Sequence, residues 1–356
     1  MFRFWSSENK QRFAPSHLVL VLLCLIFTRA FGQGGPTIIW QTDTGGTVLA
    51  YSADGKMLLA GTQLFAAANG TFIRSFHLPY NGGGPNSVAL SLDGQYAAIG
   101  IQAYNQNLDV FRVADGTLVA GRISAHSNGT TSVTFSPDGQ LLATGGRDGT
   151  AKLWHLPDMT LINTLNGGVG YRPRVFAVAF TIDGEMLAVG GQGGVVFYRV
   201  ADGQLVRELS GAGSTRTLSI SPDSQFSANG TNLSDNQGQC ADCAVKTWRI
   251  ADGALLQTID AQNNEPVSIS FSPDQQVIAA GSEDRYQGNG LLRFWQHSSG
   301  TLLQSYNVSS GSYVTSIAYS PDGSFFAFAS TNAHVVVARN PIPTTNKPGG
   351  TRKLGN

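Results

Sequence analysis

Aligned on a Ser/Thr-x-Asp triplet, the 356-residue chain shows seven copies of one unit, starting at Ser52, Ser91, Ser136, Thr181, Ser221, Ser272 and Ser320, with spacings of 39, 45, 45, 40, 51 and 48 residues. Such a period rules out one irregular core. Each copy is a supersecondary unit that can bury its apolar face only against its neighbours. The clearest copy, "SPDGQLLATGGRDGTAKLWHL" from Ser136 to Leu156, shows what one unit contains. An alternating stretch such as "TSVTFS" or "FAVAFT" precedes the Asp, and a small-residue apolar stretch such as "LLATGG" or "MLAVGG" follows it. Both have the period-two pattern of strands. A polar loop, an aromatic-centred strand and a second hairpin ("VFRVADGTLVAG", "TWRIADGALLQT") complete the unit.

Four short strands repeated at a period in the forties predict an all-β fold whose units are the blades of a β-propeller. One column is aromatic in six copies, at Phe65, Phe111, Trp154, Tyr198, Trp248 and Trp295, and a large ring there can pack between adjacent blades without any ligand. The seventh copy ends at "HVVVARN" (His334 to Asn340) and lacks a fourth strand. The segment "GPTIIWQT" (Gly35 to Thr42) resembles the terminal strands "GTLLQSY" and "GTFIRSF". The expectation is therefore a seven-bladed propeller of four-stranded antiparallel blades over residues 36–340, closed when the N-terminal strand completes the last blade. Closure of this kind leaves no open sheet edge in the ring.

The stretch "SPDGQLLATGGRDGTAKLW" is similar to the WD40-repeat family, and the likeness extends over about residues 36–340. In the third blade His126, Thr144, Asp148 and Trp154 fall where that family places its hydrogen-bonded structural tetrad. Elsewhere the motif is eroded: no copy has the Gly-His pair, none has Trp-Asp after the third strand, and the other blades lack a complete tetrad. Other seven-bladed propellers, such as the lactonase-like and quinoprotein-like groups, share the generic features. The resemblance implies a scaffold that binds partners.

With 23 basic residues balancing 23 acidic ones and no long run of either sign, the chain lacks the clustered positive charge that nucleic-acid binding requires. Arg3, Lys10 and Arg12 precede the apolar run Leu18 to Phe27, and Ala30 and Gly32 supply a small-x-small pattern, so residues 1–32 read as a secretory signal. Its apolar core is too short to span a bilayer, so no stable membrane insertion is expected once the signal is removed; an uncleaved anchor is the alternative. The expected location is secreted or periplasmic. Two cysteines remain, Cys240 and Cys243, and an oxidising compartment favours a local disulfide over redox or metal chemistry. No second Cys-x-x-Cys or paired His appears, so no metal site and no cofactor are expected.

Several features that look chemical have simpler readings. The aligned Asp54, Asp93, Asp138, Asp183, Asp223, Asp274 and Asp322 suit turn capping better than a carboxylate ring, because every blade repeats them. "NGGVG", "GQGG" and "YNGGG" lack the helix and the Lys-Ser/Thr of a phosphate cradle. No serine-hydrolase elbow or zinc-protease signature occurs, so no catalytic residue is assigned. Asn69, Asn128, Asn229, Asn232 and Asn307 head glycosylation sequons, and residues 341–356 read as a disordered tail.

In a propeller the loops joining second to third strands share a face with the connections between blades. Insertions fall there in blade five (Thr231 to Cys243), blade six (Ser282 to Gly290) and blade two (Ile101 to Asn107). Tyr104, Asp284, Arg285 and Tyr286 on these insertions, with Tyr171, Arg172 and Arg174 in the between-blade connection "NGGVGYRPR", form the expected partner-binding rim, since exposed rings and guanidinium groups anchor partners. A disulfide between Cys240 and Cys243 would stiffen the blade-five loop. The expected function is an exported, non-catalytic scaffold that holds a protein, peptide or glycan. The alternatives are a propeller enzyme with its site over the central channel and a structural protein that packs with copies of itself.

Overall fold

The structure is a computed structural model that describes residues 35–343, apart from 44–45, 79–82, 106, 168–173, 235–239, 263, 284–289, 309–311 and 333. The signal reading for 1–32 lies outside the described residues, as do positions 344–356 of the tail.

Seven four-stranded antiparallel sheets follow one another along the chain, over residues 49–75, 85–123, 130–166, 175–208, 215–260, 265–308 and 314–339. The last of these contributes three strands of its own, and its fourth is Ile38–Thr42 from the other end of the chain. That strand runs antiparallel to Val335–Arg339, with Trp40 opposite Val337, Gln41 opposite Val336 and Thr42 opposite Val335. The architecture is a seven-bladed β-propeller whose ring is fastened by its two ends. Ile342 also packs against the apolar cluster of the last blade, so order continues past Asn340.

The repeated triplet explains the hairpins. In all seven copies the Ser or Thr hydroxyl donates to the carboxylate two residues on, at 2.5–2.7 Å. The same oxygen accepts the N–H five residues on, at 2.9–3.0 Å. The carboxylate accepts a backbone N–H at 2.9–3.1 Å, so the turn is cross-tied at three points. The seven hydroxyl residues are buried, which makes these bonds costly to lose. Five copies place glycine at the left-handed position after the Asp, but Ser224 and Gln275 occupy it in blades five and six with φ of 58° and 63°. Each has a compensating bond to the preceding blade: Ser224 Oγ accepts from Ile182 N at 2.6 Å, and the Gln275 amide donates to Asp223 at 2.7 and 3.1 Å.

Blades pack through the aromatic column. Phe65, Phe111, Trp154, Tyr198, Trp248 and Trp295 are all buried, and each clusters with apolar residues of the preceding blade. Blade seven has Ala338 in this column. The volume is restored from its register partner Phe326, which meets Phe294 of blade six edge-on at 5.3 Å. Around the central channel a second fastening appears, made of hydroxyls on the innermost strands. Ser87, Ser132, Thr217, Ser268 and Ser316 accept N–H groups of Val133, Val178, Ile269, Ile317 and Leu49 at 3.0–3.2 Å, each in the following blade. Among the described residues, five of the seven blade junctions thus carry such a bond, and Ser316 to Leu49 spans the closure itself.

Candidate functional site

The four residues singled out in blade three come together as one network. Trp154 Nε1 donates to Thr144 Oγ1 at 3.0 Å, and that hydroxyl lies 2.9 Å from His126 Nε2. His126 Nδ1 lies 3.0 Å from Asp148 Oδ1, whose carboxylate also accepts from Thr150 N, Thr150 Oγ1 and Ser127 N. One proton arrangement satisfies every partner: Trp154 donates to Thr144, Thr144 to Nε2, and Nδ1–H to Asp148. Burial alone would raise the Asp148 carboxyl, but its hydrogen bonds, chiefly from His126, outweigh this and hold it well below the usual carboxylate range. His126 has no room around it. A Cβ on Gly146 would collide with its ring atoms Cγ and Nδ1. The imidazole is fully buried within the blade with both ring nitrogens engaged, so its role here is to hold strands together.

Blade five builds a substitute from other residues. Asn229 takes the position of Thr144, accepts from Trp248 Nε1 at 2.7 Å and donates to Ala212 O and Thr215 Oγ1. Its side chain is fully buried, so the sequon at Asn229 is closed to modification in the folded chain, whereas Asn69, Asn128 and Asn307 are exposed.

The network supports the loop-bearing face above it. Asn107, fully buried at the end of the blade-two insertion, accepts from His126 N at 3.2 Å and from Thr130 Oγ1 at 2.9 Å. Its amide donates to His126 O at 2.5 Å and to Ala103 O at 3.2 Å. The loop carrying Gln102 and Tyr104 is therefore anchored to the same histidine. Tyr104 stands 80% exposed beyond that anchor.

On this face a cavity of about 520 Å³ opens over the channel, with lining contributed by all seven blades. Its charged lining is Arg147 in blade three, Arg174 between blades three and four, Arg216 in blade five and Glu283 in blade six; no histidine is present among the described lining residues. An adjoining cavity of about 340 Å³ is lined by Gln102, Ala103, Tyr104, Asn128, Arg147 and Arg174. Two arginines are thus common to both. Both backbones are fixed. Arg174 N donates to the Gln192 side chain at 3.2 Å, Gln192 N returns a bond to Arg174 O, and Arg147 N donates to Gly129 O. The Gln102 carbonyl accepts from the Arg147 guanidinium at 3.0 and 3.3 Å. Arg216, by contrast, is paired at 3.2 Å with Glu265, whose side chain is buried. On the opposite, turn-bearing face, the channel end is lined mainly by apolar groups, among them the exposed Leu92 and Ile182.

Of the rim residues expected from sequence, the structure brings Tyr104 and Arg174 to one cavity. Tyr171, Arg172, Asp284, Arg285 and Tyr286 lie outside the described residues. The blade-five insertion, read as a loop, carries a two-stranded ribbon, Leu233–Ser234 with Cys240–Asp242. Cys243 is buried, and Cys240 is described by its backbone alone. Sequence reasoning missed Arg147, Gln102 and Asn107. Arg147 hides inside "GRDG", which reads only as a tight turn, and Asn107 has just one signal, its place directly before the strand "LDVFR".

Comparison with known proteins agrees with this architecture. The sequence model described as "WD domain, G-beta repeat" matches residues 117–155, 253–295 and 300–337. The chain is 30% identical over 186 residues to an uncharacterized WD repeat-containing protein of Synechocystis sp., covering 45% of this chain and 52% of that protein. It is 24% identical over 257 residues to the periodic tryptophan protein 2 homolog of Dictyostelium discoideum, covering 69% of this chain and 26% of that one. To the 66 kDa stress protein of Physarum polycephalum it is 26% identical over 249 residues, covering 66% and 36%. The chain thus spans about half or less of the length of these relatives. The three matched segments fall in blades two and three, five and six, and six and seven of the closed ring. The chain is a seven-bladed β-propeller, three stretches of which match the WD40 repeat.

Proposed function

We propose that this chain is an exported, non-catalytic scaffold that holds a protein or peptide partner on its loop-bearing face. WD40 relatives point to protein-interaction scaffolds in general, and the finer reading is carried by one observation. Two cavities meet at Arg147 and Arg174, next to the exposed ring of Tyr104, on a backbone locked by Asn107 and Gln192. A rigid platform carrying an aromatic ring and two guanidinium groups holds a partner at little ordering cost. Export is proposed from the charged, apolar and small-residue order of residues 1–32. The burial of Cys243 and its bonding as half of a disulfide support its pairing with Cys240.

Affinity capture in the native host tests both parts. The exported protein is expected to begin near Gln33 by mass spectrometry. A variant with Tyr104→Ala and Arg174→Ala should recover its partner at least about tenfold less well, the cost of removing two anchors, while Leu92→Ala with Ile182→Ala on the far face should leave capture unchanged. Equal recovery by both variants, or an uncleaved N-terminus on the mature protein, would refute the corresponding part.

A further inference from the structure

We infer that Arg147 and Arg174 form a receptor for the carboxylate side chains of an acidic peptide segment. The inference rests on the loop-face reading and adds a ligand chemistry to it. Six other described arginines have partners of their own. Arg112, Arg199 and Arg249 each meet an Asp three residues on at 2.8–3.1 Å, and Arg216 meets Glu265. Arg74 and Arg207 donate to the backbone carbonyls of Ala114 and Ala251. Among the described residues, no carboxylate pairs with Arg147 or Arg174.

The surroundings of these two arginines favour one class of occupant. The smaller cavity contains no acidic residue in its described lining, although the chain as a whole is neutral. Gln102 takes two of the five guanidinium hydrogens of Arg147, which fixes the plane of the fork without neutralising it. The remaining donors keep their full charge. A neutral partner would cover two cations, the half-buried Arg147 and the exposed Arg174, without compensating them, and a basic one would be repelled, whereas a carboxylate suits the planar fork in a bidentate pair. Tyr104 and Asn128 flank the pair. The ring can cover the methylene stem of a glutamate, and the amide can donate to a second oxygen. Glu283 of blade six lines the larger cavity but not the smaller one, where both arginines also lie.

The test uses the purified chain and fluorescent hexapeptides blocked at both ends, hexaglutamate, hexaglutamine and hexalysine, with free-acid hexaglutamine as a further arm. Fluorescence anisotropy should show binding of hexaglutamate alone, weakening as salt is raised. Arg147→Ala with Arg174→Ala should lower that affinity by about tenfold or more, and the double lysine variant should fall between, because it keeps the charge and loses the fork. Thermal melts of each variant confirm that it is folded. Binding of free-acid hexaglutamine in place of hexaglutamate would assign the site to a chain-terminal carboxylate and overturn the side-chain proposal. Equal binding of the blocked peptides, or hexaglutamate affinity unchanged in the double alanine variant, would overturn it outright, whatever happens to partner capture. If the double variant loses hexaglutamate while the Tyr104→Ala, Arg174→Ala protein keeps its captured partners, the anion site stands and the loop-face reading falls.

Discussion

Trp40→Ala should destabilise the protein by about 3–5 kcal/mol, the usual range for removing a large buried ring. Trp40 sits on the strand that closes the last blade, is 6% exposed, and packs on Phe65 of blade one with ring centroids 5.8 Å apart. Its indole N–H donates to Ala67 O at 2.7 Å, so the same side chain joins blade seven to blade one. Gly70 approaches it closely, and a Cβ there would lie 2.7–2.8 Å from the indole. Truncation therefore empties a pocket, orphans a buried carbonyl and loosens the strand that joins the first and last blades. Because a domain of this size shifts by roughly 2–4 °C per kcal/mol, a thermal melt should fall by on the order of 10 °C. Trp40→Phe keeps most of the ring and loses only the hydrogen bond, so it should cost about 1–2 kcal/mol. If Trp40→Ala melted within a degree or two of the unaltered protein, the strand would not be a working part of the closure.

His126→Ala is the second large effect, expected at about 2–4 kcal/mol, since it breaks a buried network at both ring nitrogens. Thr144 Oγ1 loses its acceptor, Asp148 loses its strongest donor, and Gly146 faces a void where it had packed on the ring. The loss also reaches the face above. The peptide groups of His126 hold Asn107, and Asn107 holds the loop bearing Gln102 and Tyr104. Urea unfolding measures the first effect, and hexaglutamate binding the second. The pH dependence has a definite sign. The Asp148 carboxyl titrates lower in the folded than in the unfolded chain, so its contribution is complete above the ordinary carboxylate pKa of 3.8 and is lost as pH falls toward the lower folded value. The stability gap between the unaltered protein and Asp148→Asn should therefore be widest near neutrality and shrink below about pH 4. A gap that widened in acid would mean that Asp148 is not held as described.

What could be read from sequence follows from which features repeat. The Asp turn recurs in all seven units, the aromatic residue in six, and the last unit alone lacks a fourth strand, so repetition placed Phe65, Trp154 and Ile38–Thr42 in their blades. The blade-three tetrad was legible because four distinctive residue types fall at set spacings. The serines were harder. Ser87, Ser132, Ser268 and Ser316 look like ordinary polar positions of alternating strands, and only the ring brings each within reach of an N–H some 46–49 residues further round, or at the other end of the chain for Ser316. The exchange of size between Phe326 and Ala338 was hidden for the same reason, since register partners are set by pairing rather than by period. At the candidate site, Tyr104 stood out as an aromatic residue in a polar insertion. Arg147 did not, because its importance lies in lacking an acidic partner, and a partner is a property of three-dimensional neighbours.

The claim that the ring is fastened by its own two ends is tested most directly by amide hydrogen exchange on the purified chain. The account predicts that the amides of Ile38–Thr42 that pair with Val335–Arg339 exchange as slowly as those of the central strands of blade seven. Exchange of Ile38–Thr42 at the rate of an unstructured peptide, while Val314–Tyr319 and Phe325–Ser330 remain protected, would contradict it.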